Sequence, residues 1–140
     1  QLLIGIDQPR QQALLEAAYN DEAGVSEAFA KNLLLRLKRD INVEIDPDQF
    51  SYQANWETEQ QRIKMSLVAR SPQCWNIDGS RIAFRSGEAL ITEYSYKYAP
   101  TEFLALATNA GWGPCQRWCD ADDHFSLHLL TQGDDARKDA

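Results

Sequence analysis

The chain has 140 residues, 44% of them hydrophobic and 25% charged, the balance of one ordinary globular unit long enough to bury a real core. Its net charge of −7 argues against nucleic-acid phosphate as the main partner. Nothing approaches the run of about 18 apolar residues that a membrane span needs.

Leu2 to Asp7 is a short Leu- and Ile-rich run, a candidate buried strand ended by Pro9. From about Gln11 to Asn20 the pattern is helical, and Asn20-Asp21-Glu22-Ala23-Gly24 breaks it. A second helix is predicted from Ser26, a plausible N-cap, with Glu27 in its first turn. Phe29, Leu33, Leu37 and Ile41, widened by Leu34, form its expected apolar stripe. Lys31, Arg36, Lys38 and Arg39 fall off that stripe and read as a solvated face near the helix C-terminus.

After Asp46-Pro47 the period becomes strand-like. Phe50, Tyr52, Ala54 and Trp56 alternate with polar residues, and so do Ile63, Met65 and Leu67. Cys74–Ile77 and Arg81–Phe84 flank Asp78-Gly79, a strong hairpin signal, and Ser86-Gly87 turns the chain into a further strand. Four or five successive antiparallel strands are the natural reading. A helix over about Pro100 to Ala110 and a hairpin pairing Cys115–Cys119 with His124–Leu130 complete the pattern, and the polar tail from 133 to 140 reads as disordered. Trp56, Trp75 and Trp118 read as packing residues.

The start at Gln1 lacks a signal peptide's basic and apolar regions and reads as a boundary. Cys74, Cys115 and Cys119, an odd number, read as reduced thiols in a cytoplasm. Cys115, Cys119, His124 and His128 invite a metal reading. If residues 120–123 turn a hairpin, Cys119 faces His124 and Cys115 faces His128, roughly 13 Å away at about 3.3 Å per residue. Zinc needs ligands at about 2.0–2.3 Å, so these residues are expected to hold no metal.

The segment most suggestive of chemistry is Thr92-Glu93-Tyr94-Ser95-Tyr96-Lys97-Tyr98. At strand period, Glu93, Ser95 and Lys97 point one way, and Leu90, Tyr94, Tyr96 and Tyr98 the other. A carboxylate beside a hydroxyl on a strand can grip an imidazole or an amine, although pattern alone also fits a solvated strand face. "ITEYSYKYAPTEF" resembles the Thr-Glu-x-Ser-x-Lys-aromatic segment of histidine-specific, S-adenosylmethionine-dependent N-methyltransferases of the ergothioneine-biosynthesis type. "LLIGIDQPR", "LEAAYNDEAGVSEAFAKNLLLRLKRDI", "IDPDQF", "RIKMSLVAR" and "GWGPCQRWCDADDHFSLHLL" follow in the order of that family's C-terminal half, so the resemblance runs from Leu2 to Leu130.

The resemblance implies an α+β chain: a fragment of a doubly wound class I methyltransferase fold, its last strands and C-terminal hairpin carrying an inserted helix-plus-antiparallel-sheet substrate lobe. Residues 1–10 and 94–132 would belong to the sheet domain, 11–93 to the lobe and 133–140 to the tail. It further implies methyl transfer to the α-amine of histidine. Glu93 and Ser95 would hold the imidazole and Tyr19 the carboxylate, with Phe29 and Met65 lining the pocket. Taken on pattern alone, Tyr19, Phe29 and Met65 are equally packing residues. Tyr94 is bulkier than that segment leads one to expect, which keeps histidine derivatives open as substrates. Another amine or amino acid, or a non-catalytic ligand-binding or interaction module, are the alternatives.

The family binds S-adenosylmethionine mainly through a Gly-rich loop in its N-terminal half. The G-x-G here, Gly111-Trp112-Gly113, lies between a helix and a strand, the wrong order for a loop that opens a helix. With the strand Leu2–Asp7 lacking its family neighbour, a homodimer through that edge is expected.

Overall fold

In a computed structural model the described residues are 1–132; the tail expected from 133 lies outside them. The chain divides into two compact units, one of Gln1–Gln11 with the chain from Tyr96 onward, the other Gln12–Ser95.

The first unit contains strand β1 (Leu2–Asp7), a helix at Pro100–Asn109, and two C-terminal strands at Trp112–Cys119 and Phe125–Gln132. The last strand lies in the middle, antiparallel to both neighbours. Ile6, Leu130, Phe103 and Ala107 form its core, with Ile4, Tyr98 and Trp112 packed against it. The Pro100 helix starts where proline's missing N–H costs nothing, and Glu102 accepts from the Ala99 N–H at 3.0 Å. Gly111, at φ +85°, supplies the left-handed turn that releases the chain into the next strand. Lys97 is buried beside this core, its Nζ 2.9 Å from the Asp7 carboxylate.

The C-terminal hairpin departs from the expected pairing. Cys119 opposes Ser126 and Arg117 opposes His128, while Cys115 sits at an irregularity between Pro114 and Gln116. The turn is longer than expected because Asp120 reaches across it, its carboxylate accepting from the Phe125 N–H at 2.9 Å. Neither cysteine therefore faces a histidine, and all three cysteines are exposed. Trp118 is also exposed rather than packed.

The second unit carries helices α1 (Gln12–Tyr19) and α2 (Val25–Asp40), then strands β2 (Phe50–Glu57), β3 (Arg62–Ala69), β4 (Gln73–Ile77), β5 (Ser80–Phe84) and β6 (Ala89–Tyr96), the last running to the unit boundary. The five strands are not one continuous meander. β2, β3 and β6 form one sheet in that order, and β4 and β5 form a separate hairpin. Asp78 and Gly79, at φ +49° and +78°, make the tight turn that closes β4–β5 on itself, so β6 returns to β3.

Helix α2 begins one residue before Ser26, which lies inside it. Its cap is Asp21, whose carboxylate accepts from Val25 N and Ser26 N at 2.8 and 2.9 Å. Those bonds from Ser26 and Val25 hold the Asp21 carboxyl down to about 2. The stripe that α2 buries is Ala30 and Leu34, with Leu37 beside them, against Phe50, Leu67, Ala69 and Trp75. Phe29, Leu33 and Ile41, expected in that stripe, are exposed. Arg36, Lys38 and Arg39 are exposed, as a solvated face requires, whereas Lys31 is half-buried and pairs with Glu27 at 2.9 Å.

Candidate functional site

Glu93, Ser95, Tyr19, Phe29 and Met65 all lie in the second unit. Tyr19 is the last residue of α1, Phe29 is in α2, Met65 in β3, and Glu93 and Ser95 in β6. Helix α1 is fastened to the sheet by polar and apolar contacts together. Glu16 accepts from the Trp56 N–H at 2.9 Å, and the Asn20 amide donates to the Ala54 carbonyl at 2.9 Å. Leu15 is buried against Ala54, Ile63 and Met65, and Tyr19 and Tyr52 pack on the same cluster. This clamp aims the Tyr19 hydroxyl at β6, where it lies 2.8 Å from the Ser95 hydroxyl.

Glu93 is exposed rather than buried, and with Phe29, Leu33, Arg36 and Thr92 it lines a shallow depression. A second depression is lined by Tyr19, Asn20, Asp21, Gly24, Glu27 and Tyr52. Met65 is buried, with its carbonyl accepting from Thr92 Oγ1 at 3.2 Å.

Strict alternation does not hold along β6. Leu90 packs on the core that α2 covers, and Ser95 reaches Tyr19 on α1, although five positions separate them. An even spacing would be needed for both to face the helices on a regular strand. Tyr94 therefore does not share a face with Leu90: its ring lies under the Arg62 guanidinium, 3.6 Å from ring centre. Arg62 and Lys64 both bind Glu57, and their hydrogen bonds, that of Lys64 first, hold its carboxyl below the usual range. Lys97, expected beside Glu93 and Ser95, belongs to the other unit, with Asp7.

Pattern reading missed Tyr52. Its hydroxyl is buried and finds no hydrogen-bond partner among the described residues. Burial, followed by the charges of Asp21 and Glu93 and the neighbouring Tyr19, raises its pKa above the usual phenol value. Alternation with Phe50 and Ala54 gave Tyr52 the look of plain core, and its polar end carries no signal of its own in the sequence. Elsewhere, Asp120, Asp122 and His124 bring possible ligand atoms within 4.8 Å of one another, but the turn's own hydrogen bond accounts for Asp120.

A family model described as histidine-specific methyltransferase, SAM-dependent, matches residues 1–132. The chain belongs to that family. It is 34% identical over 133 residues to a histidine N-alpha-methyltransferase of Mycolicibacterium smegmatis, and 32% identical to one of Mycobacterium tuberculosis. Each match covers 94% of this chain and 41% of the relative, so the chain spans about two-fifths of the length of these curated methyltransferases. No helix among the described residues of this family member is long and apolar enough to cross a membrane.

Proposed function

We propose that the whole protein transfers methyl groups from S-adenosylmethionine to the α-amine of histidine, and that Gln12–Ser95 supplies the histidine pocket. The observation that carries this reading is the 2.8 Å contact of Tyr19 with Ser95, residues far apart in sequence that family resemblance assigns to one substrate. Glu93 accepts the imidazole N–H, Ser95 serves the other ring nitrogen, and Tyr19 holds the carboxylate. Phe29 and Met65 form the apolar walls. Only the imidazole distinguishes histidine from other amino acids, so a carboxylate and a hydroxyl left unpaired by a wrong side chain supply the discrimination.

Tyr19 and Ser95 would take opposite ends of the substrate, so their mutual hydrogen bond opens as histidine enters. A methyl acceptor must present a neutral amine lone pair in line with the departing methyl group. Holding both ends of histidine fixes that amine in orientation, which is the contribution of this unit to the rate. The exposure of Glu93 leaves its carboxylate open to an entering ligand.

The one G-x-G among the described residues does not fit S-adenosylmethionine. Gly111-Trp112-Gly113 leaves a helix and enters a strand, so its N–H groups do not open a helix toward an anionic ligand. The three-stranded sheet of the first unit, with its antiparallel last strand in the middle, is read as the end of a doubly wound class I sheet. On this reading the second unit is the lobe inserted into that sheet domain.

The test is turnover by the whole protein. Incubation with S-adenosylmethionine and histidine should yield histidine betaine by mass spectrometry, and a protein that methylates other amino acids but not histidine overturns the assignment.

A further inference from the structure

The hydroxyl of Tyr52 is buried, lines the same depression as Tyr19, and has no hydrogen-bond partner among the described residues. A buried polar group normally has a partner, and one left without it weakens the fold. A phenylalanine here would pack equally well on Leu15, Ala54 and Met65 without that penalty. The hydroxyl therefore calls for a partner that arrives from outside.

The surroundings narrow what that partner is. Tyr19 has already engaged its hydroxyl with Ser95, whereas Tyr52 keeps its proton uncommitted. Burial and the neighbouring charges of Asp21 and Glu93 keep the phenol protonated, so it is a donor. The two acids lining the depression are already met. Asp21 accepts two helix N–H groups, and Glu27 pairs with Lys31. An acceptor seated against Tyr19 and Tyr52 thus meets hydroxyl donors and compensated acids.

We propose that Tyr52 is a further substrate-binding residue, its O–H donating with that of Tyr19 to the α-carboxylate of the amino-acid substrate. The inference rests on the histidine reading above and adds a residue that the family resemblance did not supply. Two phenols on one carboxylate set the rotation of the amino-acid head, and with it the direction of the amine. Tyr52 thus binds and positions the substrate and transfers no proton.

Calorimetry on the whole protein and its Tyr52→Phe variant tests this with three ligands. L-Histidine and imidazole-4-propionate both carry the carboxylate, and each should bind the variant about 10-fold or more weakly, as expected for a hydrogen bond to a charged group. Histamine has the ring and the amine but no carboxylate, and it should bind both proteins equally. The melting temperature of the free variant should be unchanged or higher, because an unpartnered hydroxyl has gone. Unaltered imidazole-4-propionate affinity, or equal losses for all three ligands, overturns the proposal. Glu93→Ala separates the two readings, since it should weaken all three ligands through the shared ring. If the wild-type protein binds none of them, the histidine reading falls, and this inference with it.

Discussion

The hydroxyl of Tyr19, at the end of α1, lies 2.8 Å from that of Ser95 on β6, closing a loop of 76 positions. Neither residue can be assigned a role in isolation, because each is the other's hydrogen-bond partner in the absence of ligand. A double-mutant cycle with Tyr19→Phe and Ser95→Ala should give a coupling of about 0.5–1.5 kcal/mol in thermal or denaturant unfolding. Saturating histidine in the whole protein should reduce that coupling, since the substrate replaces the contact. A coupling that histidine leaves intact would mean that the pair is a structural clamp.

Glu93 makes a contrasting case. It is exposed, so Glu93→Ala should leave the melting temperature of the free protein within experimental error. Histidine should nevertheless bind the whole protein more weakly by about 2–5 kcal/mol, the cost of truncating one partner of a buried charged hydrogen bond. Calorimetric titration with histidine measures it. Unchanged affinity would return Glu93 to the status of a solvated strand residue.

Much of this arrangement was legible in the sequence, for identifiable reasons. The Asp78-Gly79 turn, the alternation of β2 and β3, and Pro100 at a helix start all follow from local backbone chemistry. What escaped depends on contacts between distant residues. Asp21, not Ser26, caps α2, because the Asp21-to-Gly24 turn brings its carboxylate under the first helical N–H groups. The apolar stripe expected along α2 centred on Phe29 and Leu33, whereas the sheet buries Ala30 and Leu34, a choice that packing rather than local period makes. The register of the C-terminal hairpin was set by a side chain within its turn, Asp120, which no period reveals. At the site, resemblance supplied five residues, while Tyr52 emerged from a buried hydroxyl without a partner among the described residues, which only the folded chain shows.

Asp7 and Lys97 form a buried ion pair at 2.9 Å, and Asp7 also binds Arg10. The two ends of this pair are not equivalent, since the Lys97 side chain is fully buried and that of Asp7 is partly open. Asp7→Ala removes a carboxylate partner from a fully buried ammonium and should cost about 3–5 kcal/mol in chemical unfolding. Lys97→Met fills much the same space, leaves Asp7 with Arg10, and should cost less. Equal losses would show that the charge on Lys97 is better solvated than its burial indicates.

His128 is buried on the central strand of the first unit, its Nε2 2.9 Å from Ser126 Oγ and its ring against Phe103. Burial, with a smaller contribution from Arg117, lowers its pKa below the usual histidine value. The unfolded chain therefore takes up a proton that the folded chain resists. Stability from this group is constant above about pH 6.5 and falls as pH drops below that value, until the folded pKa is passed. Urea unfolding at pH 8 and pH 5 should show a loss that His128→Leu diminishes. An equally steep loss in the variant would assign the acid sensitivity to other groups.

The last prediction concerns strand β1, which lies at one edge of its three-stranded sheet with the last strand as its ladder neighbour. The Asp7 carbonyl at its end accepts from Tyr98 N–H at 3.3 Å, but the strand's outer edge has no ladder partner among the described residues. An apolar edge of this kind templates a second chain, and a two-fold pairing of β1 with itself closes the assembly. The 140-residue chain alone should therefore sediment as a concentration-dependent dimer. Ile4 packs on the core and is a poor place to probe this, whereas Leu3 is 61% exposed and tolerates a charge. Leu3→Lys should shift the equilibrium toward monomer while leaving the circular dichroism spectrum intact. Monomers for both proteins across a wide concentration range would sink the idea, because the edge would then be protected without a partner.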